Sequence, residues 1–251
     1  MPNPWDAGSA RLLGSLGFRA LATTSSGSAA TFGRLDGSLT REEALAHAAT
    51  IVGATDLPVS ADLENGFAAD AAGVGETVRQ AVSIGLAGCS VEDSTGRGEQ
   101  PIFVLGEACE RVIAAAEAAH GGPVHLVLTA RAENYLHGLP DLADTIRRLQ
   151  AFEAAGADVL YAPGLRDLGE IRTIVASVGL PVNVLALAGV PNLAELASVG
   201  VRRVSVGGSF AWAAMGALVE AAEELLQQGT YGYLERSAIG SAAVRAAFVR
   251  R

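Results

Sequence analysis

Short apolar, β-branched runs alternate along this chain with alanine-rich amphipathic stretches, and that alternation is the mark of βα units feeding a parallel sheet. Strands are expected near residues 19–24, 57–62, 88–92, 124–131, 158–161, 181–187 and 203–206. Helices are expected near 41–55, 75–84, 107–119, 139–155, 168–178, 193–198 and 210–228. Five helix-to-strand junctions carry a glycine just past the helix end: Gly17, Gly85, Gly156, Gly179 and Gly200. Glycine there takes the left-handed conformation that closes a helix, so the repeated junction implies a repeated unit. An eighth strand is expected from the segment just before Asn3, with Met1 lying within or after it. The expected class is therefore α/β, a (β/α)8 TIM-type barrel in which residues 1–251 form one domain of ordinary barrel size. Additional C-terminal helices follow it. Residues 229–251 read as a helical arm whose Ile239, Val244 and Phe248 exceed what a closed barrel needs, and the arm is expected to dock on another subunit.

Charged residues stand where these strands end. Asp62 and Glu64 close one, Glu92 and Asp93 the next, and Arg131 the one after. In a barrel those ends share one mouth, which is where such folds do chemistry. Asp62, Glu64 and Glu92, with no comparable basic excess, suit a hard oxygen-liganded cation, Mg²⁺ with Mn²⁺ as the alternative occupant. The competing structural reading of Asp62 and Glu64 is a helix cap and a turn. Arg131 follows a nearly unbroken apolar run, where an unpaired guanidinium is costly, so it is expected to face the mouth as a clamp for a carboxylate. Residues 23–28 offer hydroxyls and backbone N–H groups for a carboxylate or oxyanion, or else form a plain small-residue turn. Residues 94–101 make a polar loop that reads equally as a water-excluding lid or a solvated connection. The Val206-Gly207-Gly208-Ser209 turn is a weak match to a phosphate-binding turn.

The formal net charge of −9 disfavours nucleic acid and anionic membranes as partners, because both need a basic face. All 18 basic residues are arginine, so lysine general bases and Schiff-base chemistry are excluded. Two cysteines, Cys89 and Cys109, have neither metal-ligand spacing nor a disulfide framework, and Cys89 reads as strand core. His47, His120, His125 and His137 fall mostly on helices or helix ends and are expected at the surface or in packing rather than converging on zinc. No leader-like N-terminus or long uncharged apolar run is present, and a cytoplasmic location is expected.

In order and spacing, several segments resemble the isocitrate lyase and phosphoenolpyruvate mutase superfamily. They are Trp5-Asp6-Ala7-Gly8-Ser9-Ala10, Ser25-Ser26-Gly27, Asp36-Gly37, Asp62-Leu63-Glu64-Asn65-Gly66-Phe67, Val91-Glu92-Asp93, Thr129-Ala130-Arg131-Ala132-Glu133 and Ala155-Gly156-Ala157-Asp158. The resemblance implies that Asp62 binds Mg²⁺ directly, while Asp36, Glu64 and Glu92 hold its water shell. It implies that Ser25, Ser26 and Gly27 grip a substrate carboxylate and that Arg131 stabilises an enolate oxygen. Catalysis would rest on Arg131, Glu92 and Asp36. Ser25, Ser26, Gly27, Asp62, Arg131 and Asn183 would meet a small 2-oxo carboxylate. The family's thiol-bearing Lys-Lys-Cys-Gly-His loop is replaced here by residues 94–100, and Pro163 stands where the mutase has a histidine. The implied activity is lyase or hydrolase cleavage of a C–C or P–C bond beside a 2-oxo acid, through an enolate. Mutase-type phosphoryl transfer, a phosphate-binding synthase or isomerase, and a non-catalytic 2-oxo acid binder are the alternatives. The family's swapped C-terminal helix implies a homo-oligomer, dimer or tetramer.

Overall fold

A computed structural model describes residues 1–249. In chain order the elements are α1 (Ala7–Ser15), β1 (Leu21–Ala22), α2 (Ser25–Thr31), α3 (Arg41–Val52), β2 (Val59–Asp62), α4 (Ala71–Ser83), β3 (Gly88–Glu92) and α5 (Leu105–His120). There follow β4 (Val127–Arg131), α6 (Leu142–Ala154), β5 (Val159–Tyr161), α7 (Leu168–Ser177), β6 (Val182–Leu185), α8 (Leu193–Ser198), β7 (Arg203–Ser205), α9 (Ser209–Gln228) and α10 (Leu234–Phe248). The strands are all parallel and ordered β1 to β7. This is the (β/α)8-type barrel expected, with extra helices at its C-terminal end. Among the described residues, no helix is long and apolar enough to cross a membrane.

The N-terminal segment closes the seam between β7 and β1. The Met1 amino group donates to the Val204 carbonyl, and the Ala22 N–H donates to the Pro2 carbonyl at 3.0 Å. The buried Asn3 side chain ties both sides, accepting from the Val206 and Gly207 N–H groups at 3.0 and 3.1 Å and donating to the Thr23 carbonyl at 2.9 Å. Residues 1–4 thus fill the eighth strand's place in the barrel wall without forming a strand.

Alternation along each strand separates the two faces. Val59, Ala61, Cys89, Val91, Leu128, Ala130 and Leu160 are buried in the apolar layer shared with the helices. Ser60, Asp62, Ser90, Thr129 and Arg131 point to the barrel axis and line its cavity. Small inward side chains deep in the barrel leave the space that the larger ones above them surround.

Two readings are corrected. Helix α2 falls in a segment expected to be strand end and turn, while α1 is the helix that the Gly17 junction implies but that the expected helices leave without a range. Each starts at a side-chain cap, Asp6 for α1 and Thr24 for α2, a local signal that short helices reveal poorly. Gly179 is not a left-handed cap: Gly17, Gly85, Gly156 and Gly200 have φ between 85° and 99°, whereas α7 ends in extended backbone at Val178. Gly179 instead gives its N–H to the Glu153 carboxylate at 3.0 Å, where a Cβ would lie 2.5 Å from Oε1.

Candidate active site

Strand register builds the site. Glu92, Arg131, Tyr161, Asn183 and Arg203 are successive partners across β3 to β7, so they form a continuous arc around the mouth. Asp62 is in register with Ser90 of the neighbouring strand. Inside the arc is a cavity of about 180 Å³, enough for a small acid and water but not for a large cofactor.

Arg131 faces the mouth, but the carboxylates it clamps are the protein's own. Its three nitrogens meet three protein carboxylates: Asp62 at 3.2 Å, Glu92 at 3.0 Å and Glu133 at 2.8 Å. The Tyr161 ring lies against the guanidinium, 5.2 Å from its centroid. Burial works against the charge of Arg131, but Glu133, Glu92 and Asp62 outweigh it and hold the group protonated. A strand of apolar residues delivers this arginine to a nest of acids, and the acids come from three separate strand ends. Glu133, buried and two residues past β4, is a site residue that the sequence shows only within the Thr129-Ala130-Arg131-Ala132-Glu133 segment. Its signal was the local Arg131-Ala132-Glu133 spacing.

Glu64 adds a fourth acid to this neighbourhood without pairing with the guanidinium, close enough for the charges of Asp62, Asp36 and Arg131 to act on it. Glu64 sits at φ +47°, a conformation that costs energy outside glycine, and its Oε1 is buried with no hydrogen-bond partner. Burial first, then the charges of Asp62 and Asp36, push its carboxyl up to about 8. Burial likewise pushes Glu92 well above the carboxylate range, against the pull of Arg131. An orphaned, strained acid beside an acidic excess is what a divalent cation would relieve. The donor set, oxygen only and from Asp62, Glu64 and Glu92, has the chemistry a hard cation takes. Its oxygens do not all lie within 4.8 Å of one another, and of the three acids only Asp62 lines the cavity. Asp62 is already oriented, accepting from the Glu64 N–H at 3.3 Å and the Ser25 N–H at 3.4 Å, while Thr23 Oγ1 accepts its own N–H at 2.9 Å. Asp36 lies on the exposed rim of the same cavity, in the α2–α3 connection.

The predicted carboxylate-holding turn proves to be the first turn of α2. Thr24 caps it, and Ser25, Ser26 and Gly27 are its first three residues, where N–H groups have no intrahelical acceptor. Ser25 spends its N–H on Asp62, leaving Ser26 beside the cavity. Gly27 is required by packing, since a Cβ there would lie 2.7 Å from Thr24 and 3.1 Å from Trp5. Across the cavity, Asn183 donates to Ser205 Oγ at 2.9 Å and accepts from Arg203 Nε at 2.9 Å. Arg203 also donates to Thr129 Oγ1 at 2.8 Å. No carboxylate pairs with Arg203 among the described residues, and burial lowers its pKa to about 10. Sequence reasoning placed Arg203 in a strand but not in the site, although an arginine in an apolar strand was the same signal that marked Arg131. The glycine pair 207–208 lines this same cavity, Gly208 packing on Ser26 and Trp212, and makes no separate phosphate pocket.

Other singled-out residues fall elsewhere. Asp93 turns away from the cavity to pair with Arg148 at 2.9 Å and to accept the Glu133 N–H at 2.8 Å, which holds Glu133 in place. The loop after it is pinned at its base by a Ser94–Ile102 bridge, with residues 96–100 exposed. His137 meets Ser94 Oγ at 3.1 Å and His47 meets the Trp5 carbonyl at 2.9 Å. Cys89 is core, its thiol pushed up to about 12 by burial. His120 and His125 depart from expectation by converging on Asp158, at the opposite end of the barrel.

Comparison with known proteins decides the family. The family model for phosphoenolpyruvate phosphomutase matches residues 1–226. The chain belongs to this family. A solved protein from Burkholderia cenocepacia J2315, provisionally named a lyase/mutase, is 51% identical, with 94% of this chain and 85% of that one covered at a TM-score of 0.91. A solved 2,3-dimethylmalate lyase of the phosphoenolpyruvate mutase/isocitrate lyase superfamily is 27% identical, covering 92% of this chain and 83% of its own, with a TM-score of 0.83. The oxaloacetate decarboxylase of Paraburkholderia xenovorans (strain LB400) is 32% identical over 224 residues, 85% of this chain and 70% of that protein. The family's members are enzymes, both lyases and mutases.

Proposed function

We propose that this chain is a divalent-cation-dependent lyase or hydrolase that cleaves a C–C or P–C bond at the carbon next to the 2-oxo group of a small 2-oxo acid, of the oxaloacetate or phosphonopyruvate type. The observation that carries this reading is the surplus of acids around Arg131, with Glu64 Oε1 buried and unpaired. Relatives named oxaloacetate decarboxylase support the substrate class. Asp62 would hold Mg²⁺, or Mn²⁺, with Glu64 and Glu92 ordering its water shell. Bound there, the cation would supply Lewis-acid polarisation of the 2-oxo group.

This chain's residues would do the rest. Arg131 is fixed by three acids and a ring face, so it needs no reorganisation to neutralise negative charge developing on the substrate's 2-oxo oxygen. Ser26 at the start of α2 would orient the carboxylate, whereas the Gly27 N–H is held by Thr24 Oγ1 and Gly27 does not line the cavity. Asn183 and Arg203 face Ser26 across the cavity, and Arg203, lacking an acid of its own, would hold the anionic carboxylate or phosphonate before it departs. The pair of the bond between carbon 3 and the departing group passes into the 2-oxo group, giving an enolate that takes a proton from water at carbon 3. The departing group leaves without that pair, a carboxylate as CO2 and a phosphonate as phosphate after attack by water. No thiol takes part, since Cys89 is sealed in the core.

Oxalate, which mimics the planar enolate, provides the test. Calorimetric titration should show oxalate binding strengthened at least tenfold by Mg²⁺ in the wild type and unaffected by Mg²⁺ in Asp62→Ala. Oxalate binding that is indifferent to Mg²⁺ in both proteins would remove the cation from the site.

A further inference from the structure

At the opposite end of the barrel three side chains with metal-ligand chemistry meet, outside anything the reaction uses. His120 is the last residue of α5, His125 lies two residues before β4, and Asp158 immediately precedes β5. His120 Nε2 is 2.9 Å from Asp158 Oδ2, and His125 Nε2 is 3.1 Å from Oδ1. The two rings are stacked, 4.2 Å apart and 6° from parallel, so both Nε2 atoms are directed at one carboxylate. One ligand atom from each residue falls within 4.8 Å of the others. Among the described residues this is the one His, Cys, Asp and Glu group with that convergence.

We propose that His120, His125 and Asp158 form a second metal site, for a borderline transition-metal ion of the Zn²⁺ class. Two imidazoles and one carboxylate favour such an ion over Mg²⁺, which prefers an all-oxygen shell. Three protein ligands leave a fourth position for water, and the 57% exposure of the His125 side chain lets solvent and metal in. The carboxylate is oriented from behind, since Asp158 Oδ2 also accepts the Leu128 N–H at 2.7 Å, the kind of support that metal-binding carboxylates receive. Metal–nitrogen bonds of about 2.0 to 2.1 Å require the three ligands to draw closer together. His125 can make that move because it hangs on the segment Gly121-Gly122-Pro123-Val124, whose paired glycines adjust at small cost. Occupancy would clasp the α5–β4 connection to β5, a structural role suited to the barrel face that carries no chemistry.

The competing reading is a metal-free hydrogen-bonded clasp of the same three residues. Zn²⁺ titration by calorimetry in saturating Mg²⁺, which occupies the oxygen site, separates the two. One Zn²⁺ per chain is expected, with affinity lost at least tenfold in His125→Gln and in Asp158→Asn and retained in Asp62→Ala. Zn²⁺ should also raise the melting temperature of the wild type but not of His125→Gln. That variant changes an exposed side chain, so its metal-free melting should match the wild type and keep the test valid. Absence of a Zn²⁺ site, equal binding in the histidine variant, or loss of binding in Asp62→Ala would each overturn the proposal.

Discussion

Arg131 concentrates the argument at the scale of single residues, because its positive charge answers three carboxylates that would otherwise face one another at close range. Arg131→Ala leaves them uncompensated and should cost about 3 to 5 kcal/mol in chemical denaturation. Arg131→Lys retains the charge but cannot reach three partners with one ammonium, so kcat should fall about a hundredfold with a smaller loss of stability. A lysine variant with wild-type kcat would show that the fork is dispensable. Glu64 makes a pH prediction. A glutamate titrates near 4.5 when unfolded but near 8 in the fold, so between those values the folded state keeps a proton that the unfolded state has lost. Its contribution to stability is therefore complete below about pH 4.5 and drains away as pH rises to about 8. Urea denaturation in chelator should show the wild type losing stability relative to Glu64→Gln across that window. Parallel curves for the two proteins would contradict the assignment.

At the scale of elements, much of this arrangement was legible because it is local. Strand-end acids and Arg131 follow apolar runs directly, and β3 occupies the residues expected of it. The missed parts depend on long-range contacts or on very short elements. Which acids would turn toward Arg131 was not written in spacing: Asp93, beside Glu92, faces Arg148 instead. Helix α2 has seven residues and looked like a turn, and Arg203 joins the site only because β7 brings it level with Asn183. The N-terminal seam carries its own prediction. Asn3→Ala would strand the Val206 and Gly207 N–H groups and the Thr23 carbonyl, costing about 2 to 4 kcal/mol in denaturation. Asn3→Asp keeps both acceptor contacts and should cost less; equal losses would assign the effect to packing rather than hydrogen bonding.

For the whole molecule, α9 and α10 leave apolar surface that the barrel does not cover. Of the 20 residues of α9 only Ala211 is buried, while Leu218, Leu226 and Ile239 are 69%, 84% and 75% exposed. Part of α10 returns to its own barrel, Phe248 packing beside Gly8 and under Arg11. The rest we assign to contacts between copies, so light scattering at micromolar concentration should give a dimer or tetramer, and Leu226→Glu with Ile239→Glu should dissociate it. A wild-type monomer would refute that assignment. The central claim is that a cation held by Asp62 and a guanidinium held by its acids together open a bond beside a 2-oxo group. Turnover of oxaloacetate and phosphonopyruvate by wild type and Asp62→Ala, each with Mg²⁺ and with chelator, tests it most directly. Cleavage of at least one substrate by the wild type with Mg²⁺, falling at least a hundredfold on chelation or in Asp62→Ala, is the predicted result; cleavage of neither, or turnover indifferent to both metal and Asp62, would contradict it.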